Sequence, residues 1–361
     1  MTQIAEARMP WWAWLWPVLA WVVVAAKFAV GSGGVFTAAA AICLIGAVFA
    51  AVYHAELVAH RVGEPFGTLV LALAVTVIEV ALIVSVMAGG GPDTATLARD
   101  TVFAAVMLIC NGLVGLCLLA GGIWHHEQGF QASGASAALA VLAALVVLSL
   151  VLPNFTTTTP GPLFSTPQLV FAGVVSFVLY GTFIFVQTVR HREYFLSAEE
   201  MEDTAHAAPP LGAAVISFGL LLVCLVAVVL LAKTLTPAVS AGVARLGAPQ
   251  TVVGIIIAAV VLLPEAVAAL RAARQNRLQA SMNLALGSAL ACIGLTIPAV
   301  AAVSIALHAP LALGLDGKEQ VLLALTLLVG TVTLGTGRTT VLQGAVHLVI
   351  AAVYVFLSLV P

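Results

Sequence analysis

The chain has 361 residues, 62% of them hydrophobic and 8% charged, against roughly 25% charged in an ordinary soluble domain. No single core buries so much apolar side chain, so a soluble globular fold is excluded and lipid is the solvent for the surface. The formal net charge of −2, from 13 basic and 15 acidic residues, provides no basic stripe for a phosphate backbone and argues against nucleic acid as a partner.

Only helices or closed barrels span a bilayer. The apolar runs lack period-two alternation and are long enough for transmembrane helices. In chain order the predicted spans are 11–30, 35–59, 65–89, 100–122, 134–152, 167–189, 211–232, 249–270, 281–307, 320–335 and 340–359. The expectation is an all-α polytopic membrane protein of about eleven transmembrane helices. Trp11, Trp12, Trp14 and Trp16 at the first span resemble an interfacial aromatic belt, and with no small-residue cleavage site the helix reads as retained. Cys43, Cys110, Cys117, Cys224 and Cys292 lie in apolar runs without CxxC spacing and read as reduced packing residues.

Residues 191–210, HREYFLSAEEMEDTAHAAPP, form the longest polar stretch and hold the main cluster of acids. The expected organisation is an N-terminal segment and first helix (1–34), a five-helix repeat (35–190), an acidic loop (191–210) and a second five-helix repeat (211–361). An odd number of spans per repeat makes the two enter the membrane in opposite directions, the inverted-repeat arrangement. Sequence symmetry agrees, since GTLVLALAVTVIEVALI can be laid on VGIIIAAVVLLPEAVAAL with Glu79 on Glu265. Loops on the N-terminal side hold eight Lys and Arg and the opposite loops five, which predicts a cytoplasmic N-terminus and acidic loop.

Of the fifteen acids only Glu79 and Glu265 fall mid-span. A carboxylate at the bilayer centre costs roughly 2.5 to 3.5 kcal/mol on insertion scales and is usually protonated, paired or facing a wet cavity. No Lys or Arg is expected at that depth to pair with them. Two symmetry-related carboxylates therefore suggest one site that alternates between protons and a metal cation. Thr76 lies three residues before Glu79 on the same helical face, and Pro264 before Glu265 removes a helical donor and can free a carbonyl a turn earlier. Asn111 and Ser288 can add oxygens from partner helices, as Ca²⁺ wants six to eight of them. Thr76, Asn111 and Ser288 also suit plain helix packing. His54, Glu56, His60 and Arg61 form a titratable string that reads as a proton or cation entry relay or as interfacial snorkelling. His125, His126 and Glu127 read as a solvated loop, GTGRTT as a turn. An intramembrane enzyme would need a nucleophile or a further metal ligand beside the two Glu, and none is found in the adjacent helices. A scaffold would have no use for the carboxylates.

GEPFGTLVLALAVTVIEVALIVSVM, NGLVGLCLLAGG and LLPEAVAALRAARQNRLQASMNLALGSALACIGLTIPAV resemble the two α-repeats of the cation/calcium exchanger superfamily, most closely its prokaryotic calcium/proton antiporter branch. The resemblance implies antiport of Ca²⁺ against H⁺ in a prokaryotic inner membrane, Na⁺ or K⁺ being accepted by some members, with no cofactor. It assigns cation and proton binding to Glu79 and Glu265 and an amide ligand position to Asn111, whose repeat-two counterpart is Cys292. The GNAxE pattern common in related calcium exchangers is replaced by AVTVIE and VLLPE, a departure that opens selectivity toward monovalent ions.

Overall fold

The computed structural model describes residues 9–30, 33–63, 66–87, 95–196 and 209–360. Within them the backbone is helical almost throughout, as a chain in lipid must be to satisfy its N–H and C=O groups internally. The helices are α1 (Trp11–Val30), α2 (Gly34–Val62), α3 (Phe66–Met87), α4 (Leu97–His125), α5 (Ala132–Phe155), α6 (Thr166–Arg190), α7 (Leu211–Arg245), α8 (Thr251–Arg274), α9 (Leu278–Leu307), α10 (Gly317–Leu334) and α11 (Val341–Leu359). Among the described residues nine are long and apolar enough to cross a membrane, and α1 and α3 contain the shorter apolar stretches Trp11–Lys27 and Leu69–Val84. The protein is an integral membrane protein of all-α class.

A helix stands at every predicted span, the ends of the 65–89 span lying outside the described residues, and other ends differ where charge interrupts an apolar run without interrupting a helix. The predicted end at 232 is overtaken by α7, which continues to Arg245. Thr234 and Thr236 donate from their hydroxyls to the carbonyls of Leu230 and Ala232, each at 2.8 Å, so two polar side chains sit in the helix without unmet hydrogen bonds. Three helices start on readable boxes: Ser165 with Gln168, Asp316 with Glu319 and Thr340 with Gln343, in which the third side chain returns to the cap amide. Wide π turns interrupt α4 at Leu108–Leu113, α5 at Val147–Val151 and α6 at Val186–Arg190.

Two compact units divide the chain, residues 1–74 with 208–238 and residues 75–207 with 239–361. In the first, α1 packs along α2, and the Trp21 indole donates to the Val223 carbonyl of α7 at 3.2 Å. In the second, α4 is central, every residue from Leu97 to Met107 being buried. It packs on α8, α9 and α11, and α6 packs on α9. Gly344 lets α11 approach the α4 backbone, since a Cβ there would collide with Leu119 N. Ends are tied by short polar links. The turn 335–340 supplies β2 (Arg338–Thr339), antiparallel to β1 (Gln128–Gly129), with Gln128 opposite Thr339, so the GTGRTT turn carries a two-residue strand. The acidic residues Glu199, Glu200, Glu202 and Asp203 lie outside the described residues.

Candidate functional site

Glu79 lies in the middle of α3 with 4% of its surface exposed. Glu265 is half-buried in α8, directly after the buried Pro264. Both belong to the second unit, and the element that holds them is α9. Ser288, Cys292 and Thr296 recur every four residues, which stacks them on one helix face. Ser288 donates from Oγ to Glu265 Oε2. Cys292 donates from Sγ to Glu79 Oε1 at 2.8 Å, and Thr296 from Oγ1 to Glu79 Oε2 at 3.0 Å. Four residues of helix rise about 6 Å, so one face of α9 reaches both carboxyls from points one turn apart.

A second feature marks the region as a polar centre rather than an isolated pair. Thr76, one turn before Glu79 on α3, is 5% exposed, and its Oγ1 is among the buried oxygens without a hydrogen-bond partner. A buried hydroxyl left unpaired is uncommon in a folded protein and asks for a ligand or water. Both oxygens of Glu79 receive donors, while the hydroxyl oxygen of Ser288 keeps lone pairs for a cation.

Asn111 occupies a different setting from the two Glu residues. It sits in the π turn of α4, fully buried. Its Nδ2 donates to Thr326 Oγ1 of α10 at 2.9 Å, and its Oδ1 lies 3.2 Å from Nδ1 of His347 in α11. An amide oxygen only accepts, so His347 carries its proton on Nδ1 and its Nε2 faces Thr333 Oγ1 at 3.2 Å. Glu79, Glu265 and Ser288 are thus brought together around α9, with Thr76 one turn from Glu79 on α3, and the side-chain hydrogen bonds of Asn111 run to α10 and α11 from a turn that itself packs on α8 and α9.

Within the titratable string of α2 the side chains have different settings. His54 is fully buried in the first unit, with Nδ1 3.1 Å from Ser217 Oγ and Nε2 3.1 Å from the Ala13 carbonyl. It therefore links α2 to α7 and α1, whereas Glu56 and His60 are exposed. His125 reaches the Arg274 carbonyl at 2.9 Å, and Glu127 pairs with Arg338 at 3.2 Å.

Two groups of residues were not foreseen in these roles. Cys292 reads from its apolar run as a packing residue and from the resemblance only as the counterpart of Asn111, and Thr296 carries no reading; the signal that finds them is the four-residue repeat with Ser288. Arg99, Asp100 and Glu319, at the edges of the predicted spans 100–122 and 320–335, are buried in the first turns of α4 and α10. Arg99 donates from Nε to Asp100 Oδ1 at 2.8 Å and from Nη1 to the Gly314 carbonyl at 2.9 Å. Among the described residues no three His, Cys, Asp or Glu side chains gather closely enough to hold a metal by themselves.

A helical bundle of this kind, with acidic and hydroxyl side chains meeting inside membrane-spanning segments, belongs to the class of polytopic membrane transporters. The chain is a member of the sodium/calcium exchanger protein family, whose pattern matches residues 12–189 and 216–360. It is 52% identical over 366 residues, 99% of each chain, to "Putative ionic transporter y4hA" of Sinorhizobium fredii. It is 34% identical over 351 residues, 94% of each chain, to the sodium-potassium/proton antiporter ChaA of Escherichia coli. In fold it is similar to native YfkE, with a TM-score of 0.75 at 16% identity over 97% of this chain and 100% of that one. It is similar also to the H⁺/Ca²⁺ exchanger CAX, with a TM-score of 0.71 at 15% identity over 96% and 92% of the two chains. The protein is an exchanger and not an enzyme.

Proposed function

We propose that the protein exchanges Ca²⁺ for H⁺ across a prokaryotic inner membrane, at one site built on Glu79 and Glu265. The observation that carries this reading is the single face of α9 on which Ser288 meets Glu265 while Cys292 and Thr296 meet Glu79. Each carboxyl holds either a proton or part of the cation, so loading one species requires losing the other. Thr76 Oγ1, the hydroxyl of Ser288 and water complete the oxygen shell, and Thr296 supports the Glu79 carboxylate through its hydrogen bond. The fold likeness to an H⁺/Ca²⁺ exchanger supports the reading. Alternating access then needs elements that uncover the site to one side at a time. We assign that motion to α2 and α7. The 35–190 and 211–361 segments act as inverted repeats, with the N-terminus and the acidic loop on the cytoplasmic side.

A monovalent reading has its own support. Cys292 places sulfur where a hard divalent ion wants oxygen, and the Escherichia coli relative is named for sodium, potassium and protons. The test is proton movement in reconstituted vesicles under an imposed pH gradient, with Ca²⁺, Na⁺ and K⁺ added separately to wild type, Glu79→Gln and Glu265→Gln. Ca²⁺ collapsing the gradient in wild type only is the expected result. Collapse by Na⁺ or K⁺ alone replaces the cation and keeps the site. No movement by any cation in folded protein overturns the antiport reading.

A further inference from the structure

We propose that the adjoining ends of α4 and α8 form a binding site for an anionic glycerophospholipid, whose phosphate is held by Arg271 and Arg274 and whose acyl chain lies along the apolar face of α8. The two arginines stand three residues apart in the last turn of α8 and are exposed. Neither guanidinium has a carboxylate partner among the described residues. The Arg274 guanidinium lies 5.5 Å from the centre of the Trp124 ring at the end of α4, and His125 Nε2 donates to the Arg274 carbonyl at 2.9 Å. The end of α4 thus steadies both the side chain and the backbone of that turn. A guanidinium held over a ring still presents N–H donors in a fork that matches two phosphate oxygens. Glu127, the acid that follows α4, is taken by Arg338 at 3.2 Å.

The surface that continues from the two arginines fits the rest of a lipid. Ile256, Val260, Leu263, Val267, Arg271 and Arg274 follow one another at three- and four-residue steps, which sets them on one face of α8. Ile256 and Val267 are exposed, and Val260 and Leu263 are half-buried. The apolar part rises about 16 Å from Ile256 to Val267, close to the hydrocarbon depth of one leaflet, about 15 Å. Ile123 and Trp124, at the end of the helix that packs on α8, are 61% and 63% exposed, and an indole marks the level where hydrocarbon gives way to headgroups. Charge then decides the occupant. Every bilayer lipid offers an acyl chain, but two positive charges without a counter-charge favour a headgroup of net negative charge over a zwitterionic one, whose ammonium they repel. Each basic side chain near an anionic membrane surface is worth roughly fivefold in affinity.

The test is quenching of Trp124 fluorescence by lipids with brominated acyl chains, in phosphatidylcholine vesicles holding the full-length protein with Trp11, Trp12, Trp14, Trp16 and Trp21 replaced by phenylalanine. At equal share in the bilayer, brominated phosphatidylglycerol is expected to reach Trp124 with about fivefold or greater preference over brominated phosphatidylcholine. The preference is expected to vanish when Arg271→Gln and Arg274→Gln are combined. Equal quenching by the two lipids makes the surface an ordinary bilayer contact and overturns the proposal, as does a preference that survives in the double variant. Should the phenylalanine replacements prevent folding, the chain with all its tryptophans decides instead. Its unfolding midpoint in detergent should rise more with added phosphatidylglycerol than with phosphatidylcholine, and the double variant should lose that difference. An equal rise with both lipids, or a difference kept by the double variant, overturns the proposal. Neither reading involves transport, so this site and the antiport reading fail separately.

Discussion

Replacing Thr296 by valine isolates the support that α9 lends to Glu79. The side chain is fully buried, its shape is nearly conserved by valine, and the substitution removes the hydroxyl that donates to Glu79 Oε2 at 3.0 Å. A hydrogen bond to a charged group contributes about 1.5 to 3 kcal/mol, which corresponds to roughly 10- to 150-fold in an equilibrium constant. The loss falls on states in which Glu79 is ionised, empty or cation-loaded, and spares the protonated state. Where protons compete for the carboxyl, apparent cation affinity should therefore drop by up to that factor. Where the medium is alkaline enough that they do not compete, the drop should shrink. The assay is the cation concentration giving half-maximal proton movement in vesicles, measured for wild type and Thr296→Val at one acidic and one alkaline pH. An equal loss at both pH values would refute the reasoning, since it would make Thr296 a direct cation ligand and not a support of the carboxylate.

The remaining predictions concern the scaffold around the site. Arg99→Met leaves Asp100, 8% exposed, without its ion-pair partner and should cost about 3 to 5 kcal/mol; the thermal unfolding midpoint in detergent should fall, and adding Asp100→Leu should recover most of it. His54→Ala removes the links to Ser217 and Ala13 and should cost about 2 to 4 kcal/mol, whereas His60→Ala at an exposed position should stay within about 0.5 kcal/mol. Equal midpoints for the two histidine variants would contradict the buried placement of His54. Gly294→Ala puts a methyl 2.7 Å from Tyr180 Cβ, an overpacking that should cost about 1 to 3 kcal/mol and show as a lower midpoint, with α6 and α9 the elements pushed apart.

What could be read in the residue string follows from which forces are local. The spans were legible because hydropathy over one helix length is a property of neighbours in sequence. Their ends were less so. Arg99 with Asp100, and Lys318 with Glu319, interrupt apolar runs and yet sit in the first turns of α4 and α10, because helical hydrogen bonding tolerates charge that a hydropathy reading does not. Glu79 and Glu265 were legible since an acid in mid-span is costly wherever the rest of the chain lies. Their partners were not, as the contact from Cys292 to Glu79 joins residues 213 apart. Asn111 shows the same limit, since its bonds to Thr326 and His347 span 215 and 236 residues and nothing near Asn111 in sequence announces them. The exception is the face of α9, where Ser288, Cys292 and Thr296 at four-residue intervals form a pattern a helix makes visible before any fold is known.

The central claim is that one pair of carboxyls holds either protons or the transported cation. It is tested most directly by adding Ca²⁺, Na⁺ or K⁺ to weakly buffered, detergent-solubilised protein and measuring the protons released. The account predicts saturable release from wild type on addition of the transported cation, reduced in Glu79→Gln and in Glu265→Gln and abolished when both are replaced. Cation binding without proton release, or undiminished release from the double variant, would contradict it.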